Sequence, residues 1–514
     1  MIKSVSLQVE FFMENEVITN ETRKLYPYQE EAVNTIFEKL VALPPNANLL
    51  FQLPTGGGKT IIFSEIARKY INQFKKKVLI LTHRIELSHQ TSDVLFEKGI
   101  QNKIINSSVK ELPEQHEYNC YTALVETLNN RLQENDKFLE NIGLVIVDEA
   151  HNNSFRKIFH HFQDVNILGV TATPLSSNKK LPLRDTYCDL IIGQSISSLI
   201  ESNYLCEATT YSYDVNLSSL KIGNNGEFTV ASSELLYSNP FMQSKLVDAY
   251  EEVAQGTKTL IFNSGIISSR VVCEAFQKKG YPVKHLDSTF SDKERFETLE
   301  WFRNTPDGIL TSVSILTTGF DEPSVETIIL NRATKSLTLY HQMIGRGSRI
   351  LPNKKRFKIV DLGNNARRFG LWQVPIDWKH VFALPHLYLE QRYKDEWDYE
   401  MENDYQMPEE IKARFLNSSS TDFIVRDKYM AAIKKGLKPQ SVLEESLEDH
   451  FGRIKDNAAS YEEALELYNL LVDEIKYRIR QFSKFINASP NYIDWQFQTY
   501  KTKLRSRVIS WFVC

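Results

Sequence analysis

Cysteine is scarce and scattered. Cys120, Cys188, Cys206, Cys273 and Cys514 are the five in 514 residues, and no two form a Cys-x-x-Cys pair. That spacing excludes a zinc ribbon and argues for reduced thiols, so a cytoplasmic location is expected. Long apolar runs are missing too. None approaches about 20 residues, which excludes a membrane span. The stretch Met1–Asn20 has scattered acids and no uninterrupted apolar core, so it does not read as a signal peptide. Neither sign of charge is in surplus: 61 Lys and Arg against 65 Asp and Glu leave a net charge of −4. A polyanion would therefore be held by local patches and backbone amides. There is no fixed-period repeat and no low-complexity tract. What is present, 42% hydrophobic and 25% charged residues, is the composition of a soluble globular protein. The chain is too long for one core, and two or three domains are expected.

The chain is organised around Gln52-Leu53-Pro54-Thr55-Gly56-Gly57-Gly58-Lys59-Thr60. An apolar run, Asn48–Phe51, precedes it as a buried strand, and Ile61–Ala67 follows as the start of a helix. A strand, a glycine-rich turn ending in Gly-Lys-Thr and a helix make a phosphate-binding loop. Gly56, Gly57 and Gly58 let backbone N–H groups curl round an anion, and the helix N-terminus adds its positive dipole end. Lys59 reaches phosphates, and the Thr60 hydroxyl suits Mg²⁺. The usual first glycine of the pattern is Leu53. Upstream, Leu25-Tyr26-Pro27-Tyr28-Gln29 opens an amphipathic helix, where the Gln29 amide either meets an adenine edge or is simply an exposed residue at a helix start.

Further strands follow at Lys77–Thr82, Gly143–Val147 and Val165–Val170. The second delivers Asp148-Glu149-Ala150-His151, the third Thr171-Ala172-Thr173-Pro174. Acids at the C-terminal edge of a parallel strand lie where open α/β sheets bind ligands. There Asp148 can hold Mg²⁺, and Glu149 can orient and deprotonate an attacking water. Strands alternating with helices indicate parallel sheets covered on both faces. A second half repeats the theme, with strands at Thr259–Ser264 and Ile309–Val313, then Leu316–Asp321 and Tyr340–Arg349.

In order and spacing, Pro54–Thr60, Asp148–His151 and Thr171–Pro174 resemble the superfamily 2 helicases and translocases. The wording of Leu316–Asp321 and Tyr340–Arg349 is similar to the RadD-like branch, related also to ATPase subunits of restriction systems. Tyr213–Leu217 with Gly226-Glu227-Phe228 looks like the inter-domain linker of that branch, and Asp361–Asn365 also fits it. The likeness runs from about Leu25 to Gly370. Two positions depart from it: Met343 stands where many relatives have arginine, and Tyr26 where an arginine precedes the upstream proline.

The resemblance implies an α/β fold of two tandem RecA-like domains plus a mostly helical C-terminal domain. The expected bounds are 1–205, 206–385 and 386–514. It implies ATP and Mg²⁺ in the cleft, gripped by Gln29, Thr55, Gly56, Gly57, Gly58, Lys59, Thr60, Gly319 and Asp321, with Thr60 and Asp148 on the metal. Gln342, Arg346 and Arg349 would act from the second domain, the two arginines on one helix face as fingers. His151, Thr171 and Thr173 would couple the cleft to nucleic acid, a single strand or fork and DNA before RNA. The strand would be held by Thr82, Arg84, Thr127, Ser264 and Thr317. The implied function is an ATP-dependent helicase or translocase. An RNA helicase, or the motor subunit of a restriction or defence complex, is an alternative, and a nucleic-acid clamp switched by ATP is one of another class.

Beyond Pro385, Leu387–Glu410 is dense in aromatics and acids, including Tyr388, Tyr393, Trp397, Tyr399 and Tyr405. From Tyr461 an apolar stripe (Leu465, Tyr468, Val472, Ile475, Ile479, Phe482, Ile486) predicts one long helix, packing within a helical domain or dimerising. Lys501, Lys503, Arg505 and Arg507 alternate beside Trp495, Tyr500 and Trp511. That pattern suits either gripping of a single strand or a solvated strand face. Protein partners, if any, are expected through this region.

Overall fold

The computed structural model describes residues 24–44, 47–109, 111–112, 118–133, 136–162, 164–313, 316–317, 320–388, 407–417, 423–435, 437–486 and 490–513. The chain forms two compact units, 1–392 and 393–514.

The first unit holds two sheets, parallel at every pairing. Seven strands build one: β1 Leu49–Gln52, β2 Lys77–Thr82, β3 Asn102–Ile105, β4 Cys120–Leu124, β5 Ile142–Asp148, β6 Asn166–Thr171 and β7 Asp189–Ile192, in the order β3-β4-β2-β5-β6-β1-β7. Six build the other: β8 Glu207–Ser212, β9 Thr259–Asn263, β10 Val283–Leu286, β11 Ile309–Ser312, β12 Thr327–Asn331 and β13 Arg356–Asp361, in the order β10-β11-β9-β12-β13-β8. The central strands are buried at nearly every position because helices cover both faces. The pleat sends alternate residues to opposite cores. Leu50, Leu79 and Leu81 enter one core of the first sheet, and Leu49, Phe51, Val78 and Ile80 the other. In the second sheet Leu260 and Phe262 enter one core and Ile261 the other. The strand orders set β5, β6 and β1 side by side in one sheet and β11, β9 and β12 side by side in the other, so the loops after them line one edge of each lobe.

The second unit is helical in its described residues. Its stripe does not make one helix: Tyr461–Leu470 ends and Val472–Phe485 begins across Leu471, and Leu467, Tyr468, Leu471, Ile475, Ile479 and Phe482 pack into one core. The basic residues near the end sit on a helix, Pro490–Val513, not on a strand. Its buried residues Tyr500, Leu504 and Val508 recur every four, so Lys501, Lys503, Arg505 and Arg507 spread round the helix and share no single face. Of the aromatic, acidic stretch, residues 389–406 lie outside the described residues. Among the described residues no helix is long and apolar enough to cross a membrane.

An ion-pair network runs through this helical core. Arg478, 1% exposed, pairs with Glu474 and with Asp449 at 2.8 Å, under the Phe423 ring at 4.3 Å. Beside it His450 Nδ1 meets the Tyr500 hydroxyl at 2.8 Å, and that hydroxyl reaches Ser446 at 2.9 Å. Breaking such a network from one side leaves buried charge unpaired. Arg478→Ala is therefore expected to destabilise the second unit by about 3–5 kcal/mol. The measurement is urea unfolding of the full chain followed by hydrogen exchange over 441–485. An unchanged midpoint there would show that the network carries no weight.

Candidate nucleotide and nucleic-acid sites

The loop after β1 is shaped by its own backbone. Gly56 and Gly58 have φ of +87° and +82°, a region costly for residues with Cβ, and Gly58 passes into the helix Lys59–Phe74 as its N-cap. A Cβ on Gly58 would also meet the Gln29 amide at 2.4 Å. Gln29 is buried, its Oε1 accepting from the Tyr26 N–H at 3.0 Å, while the Tyr28 hydroxyl donates to the Gly57 carbonyl at 2.9 Å. The helix start thus lies against the loop through Gln29, not with an exposed glutamine. Leu53, where the pattern has glycine, is fully buried; its N–H donates to the Thr171 carbonyl at 3.0 Å and anchors the loop to β6.

Asp148 and Glu149 follow on β5, 4% and 6% exposed. Glu149 sits in the left-handed region at φ +53°, a strained place for a non-glycine residue and a common mark of functional sites. Its N–H donates to Asp148 Oδ1 at 2.9 Å. Burial, and then the Glu149 charge, push the Asp148 carboxyl up against the pull of Lys59. For Glu149 burial also pushes up, yet it is outweighed by Lys59, His151, His83 and Arg346, which hold the carboxyl below its usual range. Burial drives both imidazoles toward neutrality, so near neutral pH the cations that act are Lys59 and Arg346. Glu149 Oε2 and the Thr55 hydroxyl are buried and make no hydrogen bond, although His151 Nδ1 lies 3.4 Å from Glu149 Oε2. Unbonded oxygens beside a cation and a cradle of amides fit a bound polyphosphate.

The second lobe closes over this edge. The helix Leu337–Ile344 carries the buried Gln342 and ends at Gly345, so Arg346 and Arg349 lie in the turn beyond it and not on a helix face. Gly345 packs on the phosphate loop: a Cβ there would be 2.6 Å from Thr55. The Arg346 charge acts on Glu149, but its guanidinium is bonded to the Thr317 carbonyl at 2.7 and 3.2 Å and to Phe320 at 2.5 Å. Arg349 pairs with Asp321, so these two residues meet each other here. Gly319 lies outside the described residues.

A chain of hydroxyls crosses between the lobes. His151 Nδ1 meets Thr171 Oγ1 at 3.0 Å, Thr171 Oγ1 bonds the Thr173 backbone, and Thr173 Oγ1 donates to Thr338 Oγ1 at 2.8 Å. Thr338, one residue into the helix of Gln342, carried no signal in the sequence. Nor did the ion pair of Arg295 with Glu86 at 2.7 Å, which joins the lobes beside Arg84.

Of the expected nucleic-acid residues, Thr82, Ser264 and Thr317 are buried and Arg84 and Thr127 half-buried. Thr82 is fully buried, with its hydroxyl 2.6 Å from Ser88 Oγ; it positions the helix Ile85–Glu97 and does not face outward. Arg84 caps that helix and opposes Arg346 by like charge, which puts it near the ATP edge. Thr127 is half-buried on Val125–Leu132. Ser264, 7% exposed at the end of β9, has a hydroxyl with no partner. Thr317 is buried and tied to Arg346.

His341, beside Gln342, is 6% exposed, and burial pushes it down to about 4. A folded value below the unfolded value of about 6.5 means that the unfolded chain binds the extra proton first. The stabilising balance is then complete above pH ~6.5 and is lost as pH falls toward 4. His341→Gln should flatten that acid limb of the first unit's stability by on the order of 3 kcal/mol between pH 6.5 and 4, read from urea midpoints at each pH. Parallel limbs in both proteins would show that His341 takes its proton while folded.

Residues 22–176 match the family described as type III restriction enzyme, res subunit, and residues 242–351 match the helicase conserved C-terminal domain. The candidate ATP-dependent helicase IRC3 of Saccharomyces cerevisiae is 29% identical over 364 residues, 66% of this chain and 51% of the yeast protein. A 51.5 kDa protein of a Lactococcus phage is 29% identical over 337 residues, 65% of this chain and 69% of that protein. The EcoAI type I restriction enzyme endonuclease subunit of Escherichia coli is 24% identical over 401 residues, 70% of this chain and 46% of the subunit. The chain thus spans about half the length of the yeast and E. coli relatives. In fold it is similar to a fragment of a candidate HsdR subunit of a Vibrio vulnificus type I restriction enzyme, with a TM-score of 0.53 and 20% identity over 68% of this chain and 66% of that one. The chain belongs to the superfamily 2 helicases, in the part of that superfamily related to the ATPase subunits of restriction systems.

Proposed function

We propose that this protein is an ATP-driven motor on nucleic acid, acting in the cytoplasm on DNA single strands or forks. The observation that carries the reading is the convergence of Lys59, Asp148, Glu149 and the Arg346 charge at one buried edge shared by two lobes. Lys59 and the loop amides bind the phosphates, with Thr55, Gly56, Gly57 and Gly58 shaping the cradle and Gln29 on the adenine side. Bound Mg²⁺, on Thr60 and Asp148, supplies charge neutralisation at the phosphates. Glu149 orients the attacking water and takes its proton, and strain at its backbone fixes the carboxylate's aim. Arg346 and Arg349 stabilise the transferring phosphoryl group from the second lobe, with Gln342 beside them; Gly319 and Asp321 complete that side. His151, Thr171 and Thr173 pass the state of the cleft to the other lobe through Thr338. Ser264, Thr317, Arg84, Thr127 and Thr82 hold or position the strand without reading bases.

The similarity to type I restriction subunits favours a second reading, a motor that works within a restriction or defence complex. Protein partners through the helical unit would then be needed.

Lys59→Ala is expected to abolish hydrolysis while the melting temperature holds. Glu149→Gln should bind ATP within about threefold of the parent and turn over at least a hundredfold slower. ATPase rates measured in parallel on single-stranded DNA, duplex, forked DNA and RNA test the substrate. Equal rates with and without every nucleic acid would end the motor reading. A rate stimulated by RNA alone would end the assignment to DNA.

A further inference from the structure

The arginine-bearing turn Gly345–Arg349 has almost no regular structure of its own, yet it must meet the phosphate loop within a few tenths of an ångström. Gly345 lies on Thr55, and a Cβ on Gly56 would be 2.8 Å from the Ser348 hydroxyl. What holds the turn is a buried lysine. Lys354 is 4% exposed, and its Nζ donates to the carbonyls of Gly347 at 2.8 Å, Arg349 at 2.9 Å and Pro323 at 2.8 Å. Three donors meet three carbonyls, so the ammonium is saturated by backbone alone. Two of those carbonyls belong to the turn. The third belongs to the segment that follows Asp321, the partner of Arg349. Cys206, at the start of the second lobe, closes the same cradle: its N–H donates to the Ser348 carbonyl at 2.8 Å and its thiol to Arg349 at 3.0 Å. Lys354 is itself fixed by a two-bond bridge with Leu351.

A lysine ammonium removed from water costs several kcal/mol unless its hydrogen bonds are good, and burial here pushes Lys354 down to about 8. The titratable groups that face it are the Cys206 thiol, Glu326, Arg349 and Glu322. A surface turn needs no such device, whereas a turn that must present guanidinium groups at a fixed place does.

We propose that Lys354 is a positioning residue for the arginine turn, its ammonium clamping Gly347, Arg349 and Pro323 so that Arg346 and Arg349 are held at the cleft. The proposal rests on the motor reading for its consequence, but not for its geometry.

Lys354→Met keeps the length of the stem and removes all three donors. With folding verified by thermal melt, hydrogen exchange over 345–351 should accelerate at least tenfold while the helix Lys59–Phe74 is unaffected. Nucleic-acid-stimulated kcat should fall at least tenfold with ATP affinity within threefold. Adding Arg349→Ala should cost no more than a further twofold, because a turn already loose has no finger left to lose. Unchanged exchange over 345–351, or losses that multiply in the double variant, would overturn the proposal. If the parent protein hydrolyses no ATP on any nucleic acid, the motor reading fails, and the exchange result still decides the clamp. If the Met variant does not fold, the parent's pH profile decides. Below pH ~8 the ammonium is charged and the clamp complete, so kcat should decline as pH rises through about 8 while ATP affinity holds, and Cys206→Ala should keep that limb. A flat profile to pH 9.5 would overturn the proposal.

Discussion

Glu149 is a carboxylate kept charged almost without water, and the rest of the first unit is arranged around making that tolerable. Burying such a group alone costs several kcal/mol. Lys59, from the same lobe, offsets the largest part of the cost, and Arg346, from the other lobe, adds a smaller share. Part of what keeps Glu149 charged therefore comes from across the boundary between the lobes.

Further links cross the cleft. Thr173 to Thr338 is a hydroxyl–hydroxyl bond, worth about 1 kcal/mol net. Arg295 to Glu86 joins side chains 22% and 28% exposed and adds no more than that. Inside each lobe the sheets bury continuous apolar strands on both faces, and packing there is stiff. The boundary combines these polar links with apolar packing, since Tyr28 and Trp378 lie against the second lobe's core and Trp378 also against the first.

Much of this was legible before the fold was known, for a physical reason: the central strands are buried on both faces, so they show as short apolar runs with their chemistry at the C-terminal ends. Leu49–Phe51, Val78–Leu81 and Leu144–Val147 are of this kind. The errors came where local pattern and tertiary contact compete. Gly345 and Gly347 flank Arg346 and stop the helix, so the arginines leave the face that three-residue spacing implied. Near the end, alternating Lys501, Lys503, Arg505 and Arg507 mimicked a strand, although Tyr500, Leu504 and Val508 already kept a helical period. The stripe from Tyr461 kept its face across the break at Leu471, since a short kink preserves burial while ending the helix. Lys354, Thr338 and the Arg349–Asp321 pair were out of reach, because each depends on segments brought together only by the fold.

The placement of Arg346 bears on how hydrolysis and strand binding become linked. Its guanidinium holds the Thr317 and Phe320 carbonyls through charge-assisted bonds, each worth about 1.5–3 kcal/mol. On the reading proposed above, Thr317 belongs to the strand-binding set and Arg346 to the phosphate-binding set, so one side chain serves both. A phosphoryl group that draws Arg346 forward must loosen its hold on the Thr317 and Phe320 carbonyls. A strand bound at Thr317 would, in turn, bear on one of the carbonyls that hold Arg346. Reciprocity between the two ligands then follows from a shared residue with two mutually exclusive sets of partners, and it needs no longer pathway through the fold.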